Sequence, residues 1–153
     1  MPSMPTLPAG PGSAFMGDPM IPTWSAGYSS AMMQDMNPST YWCTPVGPVF
    51  PVVTPLTLLM PSTVTGVAFN TAISGYDTIG PRDVMIESLD AMGNVVGVGN
   101  GMVLQNTTST VSLAMPVFAN SVRLTMRSNY GGTYLGIAEL SVMWIGLPPL
   151  PGT

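Results

Sequence analysis

The 153-residue chain has no histidine and no lysine, and its only positive side chains are Arg82, Arg123 and Arg127. Seven acidic residues against these three leave a formal net charge of −4. Such sparse positive charge excludes the basic footprint that nucleic acid requires. Without histidine, the single thiol of Cys43 lacks its usual base. One cysteine also rules out an intramolecular disulfide framework, so the fold stands on packing alone. No acid pair at a recognisable spacing, phosphate-binding glycine loop or thiolate cluster is present. The chain is therefore expected to be non-enzymatic, with no catalytic residue and with Cys43 as a small core or turn residue.

Charged residues make up 7% of the chain, where about a quarter is usual. None occurs between Met36 and Tyr76, or between Ala91 and Val122. Two readings of that surface stay open: neutral and rich in Ser, Thr and Asn, or covered by partner subunits. A long uninterrupted apolar run is also missing. The most apolar stretch, "PVGPVFPVVTPLTLLMP", is broken by Pro45, Pro48, Pro51, Pro55 and Pro61, and proline at that density forbids a spanning helix. The opening "MPSMPTLPAGPGSAF" has neither the basic nor the apolar region of a Sec signal.

What the chain does have falls into three parts: residues 1–34, 35–145 and 146–153. The first is dense in Pro, Gly, Ser and Met without hydrophobic periodicity, a composition expected to be extended unless something holds it. Its apolar residues, notably Phe15, Met16, Met20, Ile21 and Trp24, are the expected contacts of an arm held by the chain's own domain or by a neighbouring subunit. Methionine suits such contacts, because its flexible thioether fills irregular grooves. The last part, "GLPPLPGT", is expected to be a second, polyproline-like arm.

The middle part is patterned as β-structure. "LTLLM" (56–60) and "VTGVAFN" (64–70) are short apolar runs separated by Pro61 and Ser62. "DVMIESL" (83–89) alternates, and Gly93–Asn94 supplies a hairpin turn. "GMVLQ" (101–105), "TVSLAM" (110–115) and "SVRLTMR" (121–127) continue the series, and "GIAELSVMWI" (136–145) is the expected central last strand. "GVGNG" (97–101) reads as a turn, because it opens no helix. Short strands joined by Gly, Pro, Asn and Thr turns, with no convincing helix, predict an all-β antiparallel sandwich.

Two stretches carry a family likeness. "VRLTMRSNYGGTYLGIAEL" (122–140) resembles the C-terminal strand, corner and strand of discoidin or F5/8 type C domains, and "QDMNPSTYW" (34–42) resembles the motif with which that family begins. "LTLLMPSTVTGVAFNT" (56–71) lies between them in the family's order. The resemblance implies a galactose-binding-like jelly roll with first and last strands side by side, Trp42 beneath them, and Tyr41 or Tyr130 covering it. The glycines of the corner, Gly131 and Gly132, would permit backbone angles that a side chain forbids.

The resemblance also implies sites. A structural calcium would take Asp35, Asn37, Thr40 and Glu139, hard oxygen donors that suit this ion, although Met36 stands where the family has glycine. The family also binds glycans in its end loops. There residue type, an aromatic platform with Asn, Asp or Arg for the hydroxyls, nominates Tyr76, Asp77, Arg82, Asn129 and Tyr130; alternatively these are ordinary loop residues, with the arginines paired to Asp83, Glu87 or Glu139. Two functions remain, the first preferred on the near absence of charge and the composition of the arms, the second its alternative. The first is a structural subunit of a viral or phage particle, decorating a capsid or associated with a tail, located in the virion and bound through its arms to copies of itself or to capsid or tail proteins. The second is a carbohydrate-binding adhesion module.

Overall fold

The computed structural model describes residues 10–11, 15–17, 21, 23–33, 37 and 39–145. Period-two burial is the organising signal. Val52, Thr54, Leu56 and Leu58 are buried while Val53, Pro55, Thr57 and Leu59 are exposed, which places one face of the segment on the core. Among the described residues the strands are β1 (Gly10–Pro11), β2 (Phe15–Gly17), β3 (Trp42–Cys43), β4 (Val52–Asn70), β5 (Asp83–Leu89), β6 (Val95–Met102), β7 (Thr108–Met126), β8 (Gly136–Ile137) and β9 (Glu139–Ile145). Every pairing is antiparallel.

Two long strands build both layers. The first half of β4 pairs with the second half of β7, from Val52↔Met126 to Thr57↔Ser121. A register shift then bends the pair, and the second half of β4 continues against the first half of β7 as far as Asn70↔Thr108. The sequence expectation of two strands on either side of Pro61 and Ser62 thus becomes one 19-residue strand with a bend there. β7 likewise joins the expected strands at 110–115 and 121–127. The sheet order β1-β9-β4-β7-β5-β6, with β2 also on β4, curls into a sandwich, and β3 pairs with β8 beside it. Leu56, Val64, Phe69, Ile86, Val122, Leu124 and Trp42 are buried between the layers.

"GVGNG" corrects another expectation: it lies within β6 rather than in a turn. Gly97, Gly99 and Gly101 stand opposite the inward-facing Ser88, Ile86 and Val84 of β5. A methyl group on Gly99 would run into the Ser112 carbonyl of β7. Gly99 is needed because the backbone of the second layer crosses too closely for a side chain, whereas Gly97 and Gly101 meet only side-chain atoms, those of Val117 and Val111 nearest. The preceding hairpin turn is as expected, with Gly93 at φ +84° and Asp90 accepting from the N–H groups of Met92 and Asn94, both at 2.9 Å.

The described part of residues 1–34 lies on the chain's own sandwich. β1 pairs with β9, and β2 pairs with β4 through Phe15↔Leu58 and Met16↔Thr57. Phe15, Ile21 and Met33 are buried in the main core. Two 3-10 turns, Ala26–Tyr28 and Ser30–Met33, connect to β3. Met20 and residues 146–153 fall outside the described residues. Among the described residues, no helix is long and apolar enough to cross a membrane.

Candidate functional site

Strand register brings four connections to one end of the sandwich: residues 44–51, 71–82, 103–107 and 127–135. They brace one another by hydrogen bonds. The Thr71 hydroxyl donates to the Leu104 carbonyl at 2.8 Å and accepts from the Thr107 N–H at 3.4 Å, and Gln105 Nε2 donates to the Asp77 carbonyl at 3.0 Å. The corner is tied in the same way. N–H groups of Tyr130 and Gly132 donate to the Thr78 carbonyl, both at 3.2 Å, and that of Gly136 to the Ile79 carbonyl at 2.9 Å. Gly131 adopts φ +88°, which favours glycine. Gly132 is required for a different reason: a methyl group there would lie 2.8 Å from the Thr78 carbonyl and from Ile79 Cγ2. The corner carries the chain from β7 to β8 and β9, and β9 pairs with β4 and β1 rather than with β7.

Between two of these connections lies an open depression of about 550 Å³, lined by Ala72, Ser74, Gly75, Tyr76, Asp77 and Asn106 among others. The chain turns sharply on both sides of it. Gly75 takes φ +81° and Asn106 φ +55°, and asparagine tolerates the left-handed region better than other side chains. Tyr76 is 45% exposed, and Ser74, Asp77 and Asn106 are exposed beside it. This pairs an aromatic face with a hydroxyl, a carboxylate and an amide. A pyranose is complementary to that combination, because its C–H face packs on an aromatic ring while its hydroxyls donate and accept. A second hollow of about 260 Å³, at residues 44–52, is lined by Pro45, Val46, Pro48, Val49 and Val52. Its one hydroxyl, that of Thr44, is already bonded to the Pro45 carbonyl and the Leu135 N–H.

Beside the depression runs a chain of aromatic rings. Tyr76 lies 6.3 Å from Tyr41, Tyr41 5.1 Å from Tyr28, Tyr28 5.1 Å from Trp24, and Trp24 5.6 Å from Tyr134. Tyr41 also covers a small satellite core of Ile73, Ile79 and Ala138. Burial, reinforced by the neighbouring Tyr28, pushes the Tyr41 phenol up to about 12. Burial also raises the Cys43 thiol, which keeps it protonated and unreactive.

The residues expected for a glycan site separate into two groups. Tyr76 and Asp77 line the depression. Asn129 and Tyr130 serve the corner: Asn129 Nδ2 donates to the carbonyls of Gly132 (3.1 Å) and Tyr134 (2.7 Å), its Oδ1 accepts from the Gly131 N–H, and the Tyr130 hydroxyl donates to the Val103 carbonyl. Arg82 lies over the Tyr130 ring at 5.6 Å. Of the remaining arginines, Arg123 pairs with Glu87 at 2.9 Å and Arg127 donates to Asn100 Oδ1 at 3.3 Å. Ser74, Asn106, Tyr28 and Tyr134 were not singled out by the sequence, and Trp24 was assigned to the arm. Their grouping depends on loop geometry that no periodicity encodes.

Of the expected calcium ligands, Asp35 lies outside the described residues. Asn37 and Thr40 share one turn: the Thr40 hydroxyl donates to the Asn37 carbonyl at 3.0 Å, and Asn37 Oδ1 accepts from the Ser39 N–H at 3.0 Å. Glu139 opens β9 opposite Asn70. Among the described residues, no group of three acidic, histidine or cysteine side chains is placed to hold a metal ion.

No family model matches the sequence, and no curated protein matches it. Solved structures do match the fold. The family 32 carbohydrate-binding module of NanJ from Clostridium perfringens, in complex with galactose, is 20% identical, with a TM-score of 0.68 over 88% of this chain and 97% of that one. The module CpGH89CBM32-5 from the same organism, in complex with GalNAc-β-1,3-galactose, is 16% identical, with a TM-score of 0.66 over 88% and 99%. The family 32 module of EndoD from Streptococcus pneumoniae is 18% identical, with a TM-score of 0.65 over 88% and 96%. At these identities the likeness shows the fold, the discoidin-like jelly roll that the sequence motifs imply.

Proposed function

We propose that the chain is a non-enzymatic carbohydrate-binding module whose site is the depression at the loop end of the sandwich. The observation that carries the reading is the half-exposed Tyr76 ring standing beside Ser74, Asp77 and Asn106. Tyr76 takes the apolar face of a sugar, and the three polar side chains take its hydroxyls. The fold supports this reading, because solved structures that share it include sugar-bound modules. The virion reading draws no comparable support, and the described arm residues Phe15 and Ile21 are used by the chain's own core.

The test is calorimetric titration with galactose and GalNAc-β-1,3-galactose, backed by a multivalent glycan array. The expected result is saturable binding that Tyr76→Ala abolishes without lowering the melting temperature. Absence of binding to every glycan tested, or binding indifferent to Tyr76→Ala, would overturn the reading. A structural calcium held by Asp35, Asn37, Thr40 and Glu139 is a separate proposal, supported by the oxygen atoms that Asn37 and Thr40 place within one turn. An ion bound only by the native state must raise stability, so a melting temperature unchanged by chelator would reject it.

A further inference from the structure

The half-exposed Trp24, 51% accessible, is contributed by the N-terminal segment but sits at the loop end of the sandwich. The segment is pinned on both sides of it. Ile21 and Met33 are buried in the main core, and the Trp24 N–H donates to the Cys43 carbonyl of β3 at 2.9 Å. Within this frame the indole packs on Tyr28 at 5.1 Å and Tyr134 at 5.6 Å. Those contacts hold the ring in place yet leave half its surface in water. The indole thus presents an apolar face to solvent from a fixed position.

Trp24 and Tyr76 also share one small cleft with Tyr41 and Tyr134. Tyr28 and Tyr41 link the two exposed rings in ring-to-ring steps of 5.1 to 6.3 Å. Two exposed aromatic platforms on one braced surface match a ligand with more than one sugar ring. We infer that Trp24 is a second sugar platform, so that the N-terminal segment completes the site and the ligand is an oligosaccharide of at least two rings. This rests on the carbohydrate-binding reading above. Of the two aromatic platforms, a monosaccharide in the depression touches only Tyr76, while a linked sugar reaches Trp24.

The experiment titrates full-length wild type, Trp24→Ala, Trp24→Phe and Tyr76→Ala with galactose and with GalNAc-β-1,3-galactose. Wild type is expected to bind the disaccharide about tenfold tighter, a difference of ~1.4 kcal/mol. Trp24→Ala removes that gain and changes monosaccharide affinity less than twofold. Trp24→Phe keeps most of the gain, and Tyr76→Ala loses both ligands. Near-ultraviolet circular dichroism and melting temperature confirm that each variant is folded. Should Trp24→Ala weaken both sugars equally, or neither, the second platform is wrong while carbohydrate binding stands. If wild type binds no sugar, on the array as well as in solution, both readings fail together.

Discussion

Alanine substitution along β6 probes how closely the two layers approach, and the structure orders the costs. At Gly99 the new methyl group would collide with the Ser112 carbonyl oxygen and lie 3.2 Å from the Leu113 Cα. Both are backbone atoms, which cannot rotate away. Overpacking of this kind costs about 3 kcal/mol or more. At Gly97 the nearest atom is Val117 Cγ2 at 2.8 Å, a methyl group on a partly buried side chain rather than backbone, so the cost falls to about 1 kcal/mol. At Gly101 the neighbours are the Val111 methyl groups at 3.3 and 3.4 Å. That mild crowding is offset by the ~0.4–1 kcal/mol gained when glycine's freedom in the unfolded chain is removed, and the net change is near zero. Urea unfolding followed by tryptophan fluorescence reads the series. With a slope of about 2 kcal/mol/M, Gly99→Ala lowers the midpoint by roughly 1.5 M, Gly97→Ala by about a third of that, and Gly101→Ala hardly at all. A Gly99→Ala protein as stable as Gly101→Ala would refute the packing argument.

Other perturbations test separate parts of the account. Phe15 is 1% exposed against β4, so Phe15→Ala is expected to cost about 3–5 kcal/mol; a change under 1 kcal/mol in urea unfolding would show that residues before 21 stand apart from the fold. Ser88 is fully buried and its hydroxyl has no hydrogen-bond partner among the described residues. Ser88→Ala should therefore be neutral or stabilising by about 1 kcal/mol, and a clear loss of melting temperature would reveal a partner. Tyr41, pushed up to about 12 when folded, holds its proton more tightly in the native than in the unfolded chain, where a tyrosine titrates near 10. Its contribution to stability is full below about pH 10 and is lost as pH rises through the folded value. Tyr41→Phe should remove the component of tyrosinate absorbance that titrates at about 12 and flatten stability above about pH 10; unchanged alkaline profiles would count against its partly buried placement.

The sandwich was legible in the sequence because strand alternation, turn residues and two end motifs all pointed the same way. Gly93–Asn94 marked the β5–β6 hairpin, and "SNYGG" marked the corner. Length and curvature of the strands were harder to read. Pro61 broke the pattern locally, yet β4 continues through it, because a bend between layers leaves the proline off the hydrogen-bonded register. The glycines of β6 looked like a turn because glycine signals both turning and close approach, and only the crossing of β7 distinguishes the two. In the candidate site, Tyr76 and Asp77 were named from residue type. Asn129 and Tyr130 were named by the same logic but are engaged by the corner's own hydrogen bonds. Trp24 was assigned to an arm because its segment lacks periodicity; the anchors that bring it to the loop end, Ile21 and Met33, act through tertiary contacts alone.

The most direct test of carbohydrate binding at the loop end is a two-dimensional amide NMR titration of the intact chain with galactose and then GalNAc-β-1,3-galactose. The account predicts shifts concentrated at residues 72–77 and Asn106 with the first sugar, extending to the Trp24 indole with the second. Shifts centred on the opposite end, around the Asp90–Asn94 hairpin, or none at saturating sugar, would contradict it.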